Sequence, residues 1–286
     1  MSQPVLPSPT EWARLAPAPG SVVWRRAGDA RVLMAAGYAL LMQVAHPTVG
    51  AGVSEHSSFR EDPWRRLFRT LDSFYALIYG GPEVAAETGR RLRALHGTIK
   101  GVAADGRRYH ALEPEAYAWV HATLADAIVR GHAQIGSPLE PWERERFWDE
   151  WRSAGGLVGV RAGDLPGDWR GFEAYVDRMV RDRLERNAAV DDVLDTLRAP
   201  GPPPVPVVLR AGWPLASMPL TRALMLVTVG MLPPVLRERF GLGWGRARQL
   251  ELSALARALR AMTPVLPGAA RIFGPAYLRL RRAAIE

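Results

Sequence analysis

Apolar residues along the chain recur mostly at helical spacings of three and four. No alternating apolar–polar run between paired turn signals is long enough to suggest a sheet, so the pattern predicts an all-α fold. Asp29 is placed to N-cap a helix through Val32, Leu33, Met34, Leu40, Leu41 and Val44. That helix is apolar nearly all round and is therefore expected at the centre, stopped by His46-Pro47 because a proline restricts the residue before it. Further helices are expected over Pro63 to Tyr79, Pro82 to Leu95, Pro114 to Gln134, Pro141 to Ser153 and Phe172 to Arg186. Four of them open with a proline, whose fixed φ and missing N–H suit a first helical turn. Pro219 to Met231, Pro234 to Phe240 and Trp244 to Met262 complete the set.

Residues 1–20, rich in Pro and Ser, lack a basic start and an apolar stretch; they read as a flexible N-terminal arm, not a signal peptide, and a cytoplasmic protein is expected. Residues 21–200 form a helical core that carries every histidine, and 201–286 a C-terminal helical subregion packed on it. The boundary falls at Gly201-Pro202-Pro203-Pro204-Val205-Pro206, which cannot be helical. The apolar stretch Ala223 to Leu236 is interrupted by Gly230 and Pro233-Pro234 and falls short of the roughly 20 residues of a membrane span. It reads as a buried helix, and membrane contact is not predicted.

Composition narrows the chemistry. With no cysteine in 286 residues, thiolate catalysis, iron–sulfur clusters and cysteine-ligated zinc or haem are excluded, leaving His, Asp, Glu and Tyr as metal ligands. Lys100 is the only lysine, so the net charge of +8 rests on guanidinium groups. They are spread over helices that also carry acids, with no helix-turn-helix or RNA-binding motif, and nucleic acid is not an expected partner. All six histidines lie between His46 and His132, as a metal or haem site on one set of helices would require. HExxH and paired ExxH motifs are absent, which disfavours zincin and di-iron carboxylate sites.

After Pro63, Arg66, Arg69, Thr70 and Ser73 fall on one helix face, beside an apolar face of Leu67, Leu71, Phe74 and Ile78. Periodicity alone leaves two readings open: a solvated stripe, or one that faces a cavity where Arg and Thr act on a bound oxygen species or carboxylate. His96 ends the next helix, with Gly97 as the expected C-cap; a helix C-terminus stabilises imidazolium, whereas an iron ligand must be neutral. His121 shares a face with Tyr117, Leu124 and Ile128, points inward, and is expected to bond a backbone carbonyl. Structural roles are expected for His46, as a helix cap, and for His56, paired with Glu55.

Six strings in order, Gln43-Val44-Ala45-His46-Pro47, Gly52-Val53-Ser54-Glu55-His56-Ser57, Arg66-Leu67-Phe68-Arg69-Thr70, Leu95-His96, Asp105-Gly106-Arg107-Arg108-Tyr109 and Trp119-Val120-His121-Ala122-Thr123, resemble the bacterial rubber oxygenase (latex-clearing protein) and MpaB-type oxygenase family. The resemblance covers roughly Trp24 to Val180, with a weaker echo at Leu232 to Arg237. It implies globin-like helical packing around a non-covalent b-type haem, with His96 matching the proximal iron ligand and Arg66 and Thr70 the polar distal residues. Where rubber-cleaving members carry a distal lysine, this chain has Arg69, which stays protonated and does not ordinarily coordinate iron. The implied partners are dioxygen and a small apolar substrate, an isoprenoid or another alkene. The alternative is a non-catalytic helical module that holds an apolar ligand, and the oligomeric state does not follow from the sequence.

Overall fold

The computed structural model describes residues 9–56, 62–103, 105–203 and 212–283, and these are almost entirely helical. Helix α1 (Pro9–Leu15) lies within the segment expected to be a flexible arm, and its Trp12 is buried against Ala85, Ala86 and Leu157. After α2 (Val22–Arg26), Asp29 caps a 3-10 turn (Ala30–Ala35) by accepting from the Arg31 N–H at 3.0 Å, and α3 (Ala36–Val44) continues from it. Pro47 ends nothing further on; it opens a second helix, α4 (Pro47–His56), bent by 104° from its predecessor, because a proline that blocks one helix suits the first turn of the next.

Helices α5 (Pro63–Tyr79), α6 (Gly81–Thr98), α7 (Pro114–Gln134) and α8 (Pro141–Val158) each carry proline in the first turn. Asp62 caps α5 through the Arg65 N–H at 2.9 Å, and Glu140 with Glu143 forms a capping box at the start of α8. Helix α8 runs five residues past the expected Ser153, to a left-handed Gly159 with φ of 87°. The α9 helix (Trp169–Asp182) starts three residues before the expected Phe172, since Asp168 accepts from the Gly171 N–H at 2.7 Å. Then come α10 (Ala188–Arg198), α11 (Trp213–Met231), α12 (Pro234–Arg239), α13 (Arg246–Ala261), α14 (Gly268–Arg271) and α15 (Phe273–Ala283). No single helix among the described residues is long and apolar enough to cross a membrane.

One departure from an all-helical reading is a two-stranded antiparallel hairpin, β1 (Lys100–Val102) and β2 (Arg108–His110), in which Gly101 faces Tyr109. Its turn is closed by Asp105 Oδ1 accepting from the Arg107 N–H at 3.0 Å and by Gly106 at φ 83°.

The core gathers around α3 and α7. Tyr38, Leu41, Met42, Trp119 and Ile128 are buried there with Phe147, Trp148 and Phe172, and Val227, Leu236 and Leu252 join the same cluster from beyond residue 212. Trp119 Nε1 donates to the Met42 carbonyl at 2.8 Å, and the Tyr38 hydroxyl donates to Asp126, which Arg130 neutralises at 2.8 Å. Helix α15 is tied to α5 through Asp72, which accepts from Tyr277 at 2.7 Å and from Arg281 at 2.7 and 2.8 Å.

Candidate functional site

Helices α5 and α6 lie side by side and bring Arg66 and His96 into one electrostatic environment. Arg66, Arg69 and Thr70 are all accessible to solvent, as is Leu67 beside them. Yet the Arg66 guanidinium is held below its usual pKa by desolvation and then by the Arg69 charge. Of the two readings that periodicity leaves open, the exposure of all three side chains is that of the solvated stripe, and the lowered Arg66 pKa is the one observation on the other side. The Thr70 hydroxyl donates to the Arg66 carbonyl at 2.9 Å, so its proton is engaged within α5 and its oxygen lone pairs face outward.

His96 sits in the last turn of α6, but its environment is not the one expected from a helix terminus. Gly97 is not the cap: α6 runs on to Thr98 and the extended Ile99 follows. The imidazole is pushed below its ordinary pKa, first by desolvation and then by Arg66, with the Leu92 backbone one turn back opposing. Burial and a neighbouring cation thus outweigh the helix dipole, and the ring is neutral near pH 7. Its Nδ1 is sealed from solvent on the Leu92 side without a well-directed hydrogen bond, while Nε2 has no protein partner. The ring packs edge-on against Tyr117, with centroids 5.5 Å apart and planes at 72°.

Exposed apolar residues lie on α6 and at the start of α11. Leu95 on α6 is exposed next to His96. Trp213, at the start of α11, meets Trp64, at the start of α5, with ring centroids 5.9 Å apart. In that first part of α11, Leu215 is 78% exposed and Met218 62%.

Of the other five histidines, His46, His56, His121 and His132 are held by protein groups. His121 Nε2 donates to the Trp151 carbonyl at 2.9 Å and Trp151 Nε1 returns a bond to the His121 carbonyl at 3.0 Å, the two rings stacked at 5.1 Å. His132 Nε2 donates to the Arg26 carbonyl at 2.9 Å. Buried His46 bonds Glu115 at 3.2 Å through its ring, so it does not cap the long helix with its side chain; Glu115 is shared with Arg183. Glu55 and His56 are joined by Tyr109, whose hydroxyl lies 2.6 Å from Glu55 Oε2 and 2.9 Å from His56 Nε2. Several of the quoted strings therefore hold the fold: Tyr109 ties the hairpin to α4, and Trp119 and His46 tie α7 to α3 and its end. Among the described residues, no three His, Asp or Glu side chains converge as metal ligands.

His121 also sets a pH dependence. Burial depresses its pKa from 6.5 to about 4, the Trp151 carbonyl opposing. The unfolded chain takes up this proton as pH falls below about 6.5 while the folded chain resists until about 4, so His121 stabilises the fold less and less across that window. The expected loss is at most ~3 kcal/mol, from a shift of this size. Denaturant melts of the parent and of His121→Gln between pH 7.5 and 4.5 should show a steeper decline in the parent. Parallel curves would place the titration elsewhere.

The sequence was compared with known families, curated proteins and solved structures. A family model described as "ER-bound oxygenase mpaB/B'/Rubber oxygenase, catalytic domain" matches residues 24–261. No curated protein and no solved structure matches the chain.

Proposed function

The chain belongs to the mpaB/rubber oxygenase catalytic-domain family, and from that premise we propose that it is a haem b-dependent oxygenase in which His96 is the proximal iron ligand. In this reading Arg66, Arg69 and Thr70 face the reacting side, and the partners are dioxygen and a small apolar substrate. The observation that carries it is the state of His96: a neutral, half-buried imidazole whose Nε2 has no protein partner, on the helix packed beside the one that bears Arg66. Iron takes a deprotonated ring nitrogen. His96 is the residue that would hold a haem, and the uncovered Leu67 and Leu95 on the same two helices would supply apolar surface beside it.

A bound haem would supply iron that activates dioxygen. The chain's own residues then divide the work. Arg66, on the helix beside the one that bears His96, would stabilise negative charge that develops on oxygen. Arg69 would add to that field, and a guanidinium does not ordinarily coordinate iron. Thr70 Oγ1 accepts a hydrogen bond in its present rotamer and donates one only after releasing the Arg66 carbonyl. The aliphatic residues exclude water and position an alkene by shape.

The test is titration of the purified chain with haemin, followed by imidazole or cyanide. One haem per chain with a Soret band is expected, and exogenous ligands should bind without displacing a protein ligand. Arg69→Lys should move the resting spectrum towards a six-coordinate form, and Thr70→Val should slow turnover several-fold at unchanged haem content. A chain that takes up no haem, or retains an apolar ligand without any redox cofactor, would overturn the oxygenase reading in favour of a binding module. Identical spectra and ligand affinities across parent, Arg69→Lys and Thr70→Val would remove the α5 stripe from the haem pocket.

A further inference from the structure

The geometry around the end of α8 points to a residue that the motif strings pass over: we infer that Tyr117 is the positioning residue for the His96 ring. A helix ends with carbonyls that have no partner within it. At the end of α8 the N–H groups of Gly159 and Val160 take the Gly156 and Gly155 carbonyls, and side chains from two other helices take the next ones. Tyr117, on α7, donates its hydroxyl to the Val158 carbonyl at 2.9 Å, and Arg93, on α6, donates to the Gly159 carbonyl at 3.3 Å. One strand of backbone thus anchors both the helix that bears His96 and the ring that packs edge-on against it at 5.5 Å.

Edge-to-face contact fixes an angle as well as a distance. On its Nδ1 side the imidazole is closed off by its own helix near Leu92, and on one flank it meets a phenol ring that cannot swing away without leaving Val158. The arrangement sets ring orientation before any ligand arrives. It leaves Nε2 as the free nitrogen, and a pre-set ligand loses less freedom on binding. Tyr117 touches no substrate in this account; it acts through His96. Its role towards a metal rests on the proposed function above, but its control of the His96 ring does not.

Two measurements separate those claims. In the haem-free chain, long-range proton–nitrogen NMR of the His96 imidazole should report one narrow set of ring signals, as for a single fixed ring orientation. Tyr117→Phe, which keeps the ring and loses the anchor, should broaden that signal, and Tyr117→Leu should do so more strongly. His121→Gln removes another α7-to-α8 bond that does not touch His96, and should leave the signal in place. If His121→Gln disturbs it as much as Tyr117→Phe, or if neither Tyr117 variant changes it, the positioning role is overturned. In the haem-loaded chain, the two Tyr117 variants should broaden the high-spin electron paramagnetic resonance lines and weaken haem retention by ~10–100-fold, the range for loss of an outer-shell partner. If His96→Ala leaves the haem spectrum intact, the proposed ligand is wrong while the NMR result stands; an altered imidazole signal with unchanged haem retention and line shape would confine Tyr117 to the haem-free protein and overturn its role towards the metal.

Discussion

Replacing His96 by alanine should abolish the Soret band of the haem-loaded protein and lower haem affinity by more than the ~10–100-fold that loss of an outer-shell partner costs. His96 combines a free Nε2, a neutral ring and a place beside Arg66, whereas His121, His132 and His46 are bonded to protein groups. His96→Gly extends the test, since it leaves room for an exogenous ring where the imidazole stood. Free imidazole added to that variant should restore a Soret band, which it cannot do if the ligand lies elsewhere. His121→Ala is the contrasting case: it should keep the haem spectrum and lose ~1–3 kcal/mol of stability, as for a buried group left without its hydrogen bond. A haem spectrum unaffected in both His96 variants would remove His96 from the iron.

The helices most legible in the sequence were those with a chemical start signal. Pro63, Pro114 and Pro141 open α5, α7 and α8 where expected, because a proline N–H is not needed in a first turn. Helix ends were less legible. The α6 helix passes through His96 and Gly97 to Thr98, since a glycine is a stop only when the chain there adopts a left-handed turn, and Gly97 remains helical while Gly159 does not. The hairpin at Lys100–Val102 and Arg108–His110 escaped detection because strands of three residues are too short to show an alternation; Asp105-Gly106 was its only local sign. The spacing of Arg66, Arg69 and Thr70 was readable, but not that Arg66 is desolvated. That depends on what α6 and its neighbours place around it, as does the contact between His96 and Tyr117, two residues on different helices.

A glycine in the middle of α6 should matter more than its type suggests. On helix propensity alone, Gly89→Ala would stabilise by up to ~1 kcal/mol. At this position, however, an added Cβ would overlap the Leu157 carbonyl oxygen and lie 2.8 Å from its carbon, so α6 and α8 meet backbone to backbone. A carbonyl in a helix cannot turn aside as a side chain can, and the two helices must separate. Overpacking of this kind costs roughly 1–3 kcal/mol, so the sign reverses and the thermal midpoint should fall by several degrees. Gly97→Ala, in the same helix, supplies the control: its Cβ would meet only a Leu112 methyl at 3.8 Å, and a gain of about 0.4–1 kcal/mol is expected. The pair also tests what seats His96. Gly97 adjoins His96 in sequence while Gly89 lies two turns away, yet α6 is held through Gly89 against Leu157 and through Arg93 on the Gly159 carbonyl. Haem affinity should therefore drop in Gly89→Ala and hold in Gly97→Ala. Thermal melts and haemin titrations of both variants would decide it: a Gly89→Ala chain as stable as the parent would mean that α6 and α8 do not touch as closely as the geometry requires, and the reverse order of haem affinities would mean that the helix is positioned from its end.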